Sequence, residues 1–182
     1  MRMASNVFVL CTMLLGSCGT YYDPGDPYVR GLRWWDRGQT QRAIEQWEPL
    51  VRENDPDAQF RYGWYLLTSV PGKSSDAIEL FRKAGDQGQP KALMVLGDLY
   101  FQSSDNVTFK VTKAPFPRDS KQALEFYLKG QRSAIYDGER EALKRVIPKV
   151  EGELSTEDST AIRNVVEKWK PTVVGRAPRH LL

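Results

Sequence analysis

Spacing in this chain recurs at 34 residues, and that interval restricts its possible folds more than any other feature. Ala58-Gln59-Phe60-Arg61-Tyr62-Gly63 aligns with Ala92-Leu93-Met94-Val95-Leu96-Gly97, each alanine, large apolar residue and glycine 34 apart. Leu66 and Tyr100 keep the interval, with Leu32 at the same distance upstream. Ala43-Ile44 and Ala77-Ile78 keep it too, as do Trp47 and Phe81. A third copy, Ala123-Leu124 with Tyr127, follows the second by 46 residues and therefore carries a twelve-residue insertion. A period of this length marks an array of small supersecondary units that bury their apolar faces only against neighbours.

Within each half-unit the spacing is helical. Ala58, Tyr62 and Leu66 form one apolar stripe, and Ala43, Trp47 and Leu50 form another. Breakers fall between the stripes: Gly38-Gln39-Thr40 and Pro71-Gly72-Lys73-Ser74-Ser75 within pairs, Asn54-Asp55-Pro56 and Gly88-Gln89-Pro90 between them. Helices this short are marginal alone, so stacking must stabilise them. A mid-helix glycine costs about 1 kcal/mol against Ala. Its recurrence at Gly63 and Gly97 therefore predicts close approach of a neighbouring helix. The expected fold is all-α: a short α-solenoid of antiparallel helix pairs, about three repeats plus a C-terminal helix pair.

At these residues the chain resembles the Sel-one-like subclass of tetratricopeptide repeats. Ala58, Tyr62, Gly63 and Leu66 fill that pattern's first helix; Ala77, Phe81, Ala84, Gly85 and Gly88 fill its second. The next unit matches through Ala92, Leu96, Gly97, Tyr100, Ala123, Tyr127 and Gly130. The first unit matches well in its second helix and poorly in its first, as a terminal cap does. The resemblance spans 28–135 and implies a fold rather than an activity.

The first seventeen residues form a separate object. Arg2 precedes an apolar run from Val7 to Leu15, too short for a bilayer span of about 20 residues. It has the length of a signal-peptide core. Leu15-Gly16-Ser17-Cys18 resembles the bacterial lipobox, which implies cleavage before Cys18 and lipidation of its thiol. The alternatives are an ordinary secretory signal or an uncleaved anchor. Cys11 would leave with residues 1–17, so the mature chain would hold no free thiol, a safe inventory for an oxidising compartment. Gly19 after the cysteine implies, by analogy with lipoprotein sorting, the periplasmic face of the outer membrane. Residues 18–27 would be a tether.

Beyond the repeats, 136–171 reads as capping helices. Pro148 should end or kink the first of them. Ser155 should cap the second, with Asp158 at its third position. Ile162, Val165, Val166 and Trp169 give its apolar stripe, and 172–182, with Gly175, Pro178 and His180, reads as a loose tail. The insertion at 102–120 contains Val107-Thr108-Phe109-Lys110-Val111, which alternates as a strand would. Insertions in repeat arrays lie on one face and often carry binding.

No nucleophile–base set, zinc-ligand set, P-loop or dinucleotide fingerprint is present, and His180 is the only histidine. No cofactor or metal is expected. Cations exceed acids by three, with both signs interspersed, which gives no stripe for nucleic acid. Trp47 and Trp169 belong on core stripes. Trp35, Trp64, Tyr65 and Phe109 are the candidate partner contacts, since aromatics left on a repeat surface make natural hot spots. The expectation is a non-catalytic scaffold that docks another envelope protein. The rival readings are a small enzyme of envelope polymer metabolism, marked by a buried acidic pair in a pocket, and a structural lipoprotein that touches peptidoglycan.

Overall fold

The computed structural model describes residues 25–102, 109, 114–134 and 136–179. Over them the chain is a short α-solenoid with eight helices and no strand. These are α1 (Pro27–Asp36), α2 (Thr40–Arg52), α3 (Pro56–Ser69), α4 (Ser74–Asp86), α5 (Pro90–Phe101), α6 (Ser120–Ser133), α7 (Asp137–Glu151) and α8 (Thr156–Lys168). The leader at 1–17, Cys18 and most of the segment read as a strand lie outside the described residues. Among the described residues no helix is long and apolar enough to cross a membrane.

Local chemistry sets the helix starts. α1, α3 and α5 each open with a proline at the first position, behind Asp26, Asp55 and Gln89. Each capping side chain accepts backbone N–H groups of the first turn, which have no carbonyl partner inside the helix. Ser155 caps α8 by accepting the Asp158 N–H at 3.0 Å, as its spacing predicts.

Packing follows chain order: α1 on α2, α2 on α3, α3 on α4, α4 on α5 and α5 on α6. The core is a succession of three apolar clusters, and the odd helices are shared between them. Ala58 of α3 joins the first cluster while Phe60 and Leu66 join the second. Leu93 and Leu96 of α5 join the second while Met94 and Phe101 join the third. Each unit thus buries its stripe on its neighbour.

One aromatic per pair holds the helices at contact distance. Trp47, Phe81 and Tyr127 are fully buried, each on a glycine of the preceding helix. A Cβ on Gly63 would stand 3.0 Å from the Phe81 ring, and one on Gly97 would stand 2.5 Å from that of Tyr127. The predicted close approach is present. In the first unit the glycine facing Trp47 is Gly31, only 32 residues before Gly63 (63 − 31). After that glycine, helix and turn are each one residue shorter than in the second unit. Leu32 is therefore not the true counterpart of Leu66.

The C-terminal part departs from expectation in three ways. Pro148 does not end α7, which runs on to Glu151. The proline sits in the last turn, where only one helical bond is lost, and Val146, Ile147 and Val150 pack into the core beside it. α7 and α8 pack mainly against α6, and α7 also touches α5. On α8 only Val166 is fully buried. Val165 is 61% exposed and Trp169 only half-buried, because nothing covers the outer side of the last helix. The third departure is the tail. Residues 172–179 form a strap that runs back along the turns toward the first helix. Thr172 donates its N–H to the Asp86 carbonyl at 2.8 Å. Gly175 passes so near the α2–α3 turn that a Cβ would meet the Glu53 carbonyl at 2.5 Å. Arg179 ends buried.

Candidate functional site

The N-terminal ends of the odd helices lie side by side, so their caps form one polar edge, and Arg179 is its centre. The guanidinium reaches Asp26 through Nη2 and Nε (3.2 and 3.3 Å), and Asp55 and Asp57 through Nη1 (3.0 and 3.1 Å). Its Cζ stands 4.0 Å from the centre of the Tyr28 ring, and its backbone N–H donates to Asp57 at 2.8 Å. Asp57 also accepts from Gln89 Nε2 at 3.1 Å. Burial pushes the Asp26 carboxyl up, but hydrogen bonds from Arg179 and the Tyr28 N–H, with the charges of Arg179 and Arg176, more than reverse that. Asp26 is held below the ordinary carboxylate value. Burial likewise opposes the Arg179 charge, and the aspartates overcome it, raising its pKa.

Beside this clasp opens a cleft of about 300 Å³. Tyr28 and Leu32 of α1, Phe60 and Arg61 of α3, Pro90 and Lys91 of α5, and Glu139 of α7 contribute to its walls. Tyr136 stands at its rim, 45% exposed. Glu139 is the chemically unusual member. It is 7% exposed, and neither carboxyl oxygen has a well-formed hydrogen bond. Lys91 approaches only to 4.0 Å. Burial pushes the carboxyl up, and Lys91, the Tyr136 N–H and Arg140 offset this only in part, so the Glu139 pKa lies above the ordinary carboxylate value. Arg61 Nε is likewise buried without a partner. Unmet polar atoms between apolar walls are the composition of a ligand cleft.

The aromatics singled out from sequence lie elsewhere. Trp64 and Phe109 meet at 5.5 Å between ring centres, and Phe109 also packs on Phe60 at 6.1 Å. The Phe109 N–H donates to Asp98 at 2.6 Å, which ties the insertion to α5. Trp35 rests on Trp47 at 5.6 Å, and Tyr65 on Tyr62 at 6.0 Å. All four are half-buried and none lines the cleft. Asp98 is fully buried and accepts the Tyr127 hydroxyl at 2.7 Å. Burial and then the nearby Asp98 charge push that phenol far above its usual range, so it remains a donor. Among the described residues no group of His, Cys, Asp or Glu is placed to hold a metal. Family models, curated proteins and solved structures yield no match to this chain.

Arg61, Lys91, Glu139 and Arg179 are the polar groups that periodicity missed. They converge from different units, and nothing local distinguishes them from a solvated helix face. The Asp-Pro pairs at 26–27 and 55–56 mark the edge, but not the arginine that closes it.

Proposed function

We propose that this protein is a lipid-anchored, periplasm-facing scaffold of the Sel-one-like kind, which docks a segment of another envelope protein in the odd-helix cleft. The observation that carries this reading is the cleft itself: one opening, walled by four helices, combining apolar surface with unmet polar atoms. Recurrence of the glycine–aromatic contact in three successive pairs supports the kinship. The test is photo-crosslinking in cells from probes at Leu32 and Tyr136, with a probe at Val165 on the outer side of α8 as control. A partner captured from the cleft positions, and lost on Lys91→Glu, is the expected result. Equal capture from all three positions, or none, overturns the cleft.

One observation favours the enzyme reading: Glu139 is a buried acid in a cleft that Asp57 also lines. A hydrolytic pair also needs a base free to accept a proton. Asp57 is instead engaged by Arg179 and Gln89, so docking is the better-supported reading. Release of soluble fragments from purified sacculi, abolished by Glu139→Gln, would reverse that order. Binding to sacculi without release would favour the peptidoglycan-contacting role.

A further inference from the structure

We propose that the outward face of α1, joined by Arg42 of α2, is an electrostatic docking surface for a bilayer rich in anionic phospholipid. Arg30 and Arg33 of α1 and Arg37 at its C-cap recur at three and four residues, which aligns them on one side of the helix. That is the side opposite the packed one, where Tyr28, Gly31 and Trp35 meet α2. All four arginines are exposed. Two of them flank a half-buried indole, with Arg37 Cζ at 5.5 Å and Arg42 Cζ at 4.8 Å from the centre of the Trp34 ring. None of the four forms an ion pair with a carboxylate of the described residues.

That distinguishes this face from an ordinary solvated one. Several exposed cations on other helices pair within the helix, as Arg52 with Glu48, Lys83 with Glu79 and Lys144 with Glu141. Those left unpaired, such as Arg145, Lys149 and Lys168, are not gathered round an aromatic ring as Arg37 and Arg42 are round Trp34. α1 has a single acid, Asp36, which lies off the arginine stripe. Sequence-wide interspersion of charge concealed this local cluster.

The chemistry matches a lipid interface. Arginines bind phosphate headgroups, and an indole sits well at headgroup depth. The location fits too if the proposed anchor is in place: eight residues lie between Cys18 and Pro27, a reach of at most about 30 Å. A lipid on Cys18 would hold this helix pair near the surface, with the cleft to one side of it.

The experiment is vesicle flotation of the mature chain from Gly19, made without leader or lipid, so that failure of the lipidation reading leaves the assay intact. Phosphatidylcholine vesicles are compared with vesicles containing phosphatidylglycerol. The chain should float only with the anionic vesicles and be released at about 0.5 M NaCl, where the Debye length has shrunk to a few ångströms. Each arginine replaced by Gln should lower partition about five-fold. The quadruple variant Arg30→Gln, Arg33→Gln, Arg37→Gln and Arg42→Gln should sink while keeping its helical circular dichroism, because these side chains are exposed. Flotation indifferent to lipid charge, no flotation with either vesicle, or full binding by the quadruple variant would overturn the proposal.

Discussion

Replacing Arg179 by Ala is the most demanding perturbation of this fold. The guanidinium is 8% exposed and is the hub of Asp26, Asp55 and Asp57, all buried. Removing one member of a buried charge network leaves the others without compensation, at about 3–5 kcal/mol. Arg176, at 3.2 Å from Asp26, recovers a little of that. Against a total stability of about 5–15 kcal/mol, the loss is a large fraction and lowers Tm by roughly 10 °C. Urea and thermal unfolding followed by circular dichroism measure it. Arg179→Met, which keeps apolar packing over Tyr28 but no charge, should lose nearly as much. The pH dependence gives a second reading. The folded pKa of Asp26 is depressed, so its contribution is present above the unfolded carboxyl value of about 3.9 and disappears as pH falls through the folded one. The gap between wild type and Arg179→Ala should therefore narrow on acidification toward pH 3. A loss under about 1 kcal/mol, set against the expected cost, or a gap unchanged by pH, would refute the clasp.

Other outcomes follow from single contacts. Gly97→Ala forces a Cβ onto the Tyr127 ring and should destabilise by about 1–2 kcal/mol net of its helix-propensity gain, whereas Gly138→Ala, with open space around it, should be neutral or stabilising in the same melt. Tyr127→Phe removes a donor to buried Asp98 and should cost about 1–3 kcal/mol in urea titrations. Glu139 has a raised folded pKa, so wild type should lose stability as pH climbs from the unfolded carboxyl value through the folded one; Glu139→Gln should remove that slope, and an unchanged slope would remove Glu139 from the explanation. Cys18→Ala should abolish metabolic labelling with fatty acid and make membrane association extractable by salt; retention of labelling and of salt-resistant membrane fractionation would discard the anchor.

The helices, their order and the close approach at Gly63 and Gly97 were readable in the sequence because each is written locally. Stripes recur at helical spacing, prolines follow caps, and the 34-residue period repeats the glycine at 63 and 97, while the rings they meet, Phe81 and Tyr127, are set by how the helices stack. The first unit was misaligned because two residues are missing between Gly31 and Trp47, which changes register without changing composition. Val165 and Trp169 looked like core because periodicity reports which residues share a face, not whether a neighbour covers it. The cleft was hidden for a related reason. Leu32, Arg61, Lys91 and Glu139 belong to four helices, and only stacking makes them neighbours. The aromatic criterion selected Trp64 and Phe109, which turn out to pack against each other.

The strap also changes how the array comes apart. An open stack contacts only adjacent units, so its ends can melt independently and its folding can spread from any point. Here Arg179 is bound to Asp26 across 153 residues of chain. Closing that loop makes the first helix depend on residues that are synthesised only after α8. The N-terminal pair can therefore reach its final protection from hydrogen exchange only after the tail has arrived, and a nick between α8 and Arg179 should loosen α1, at the far end of the stack.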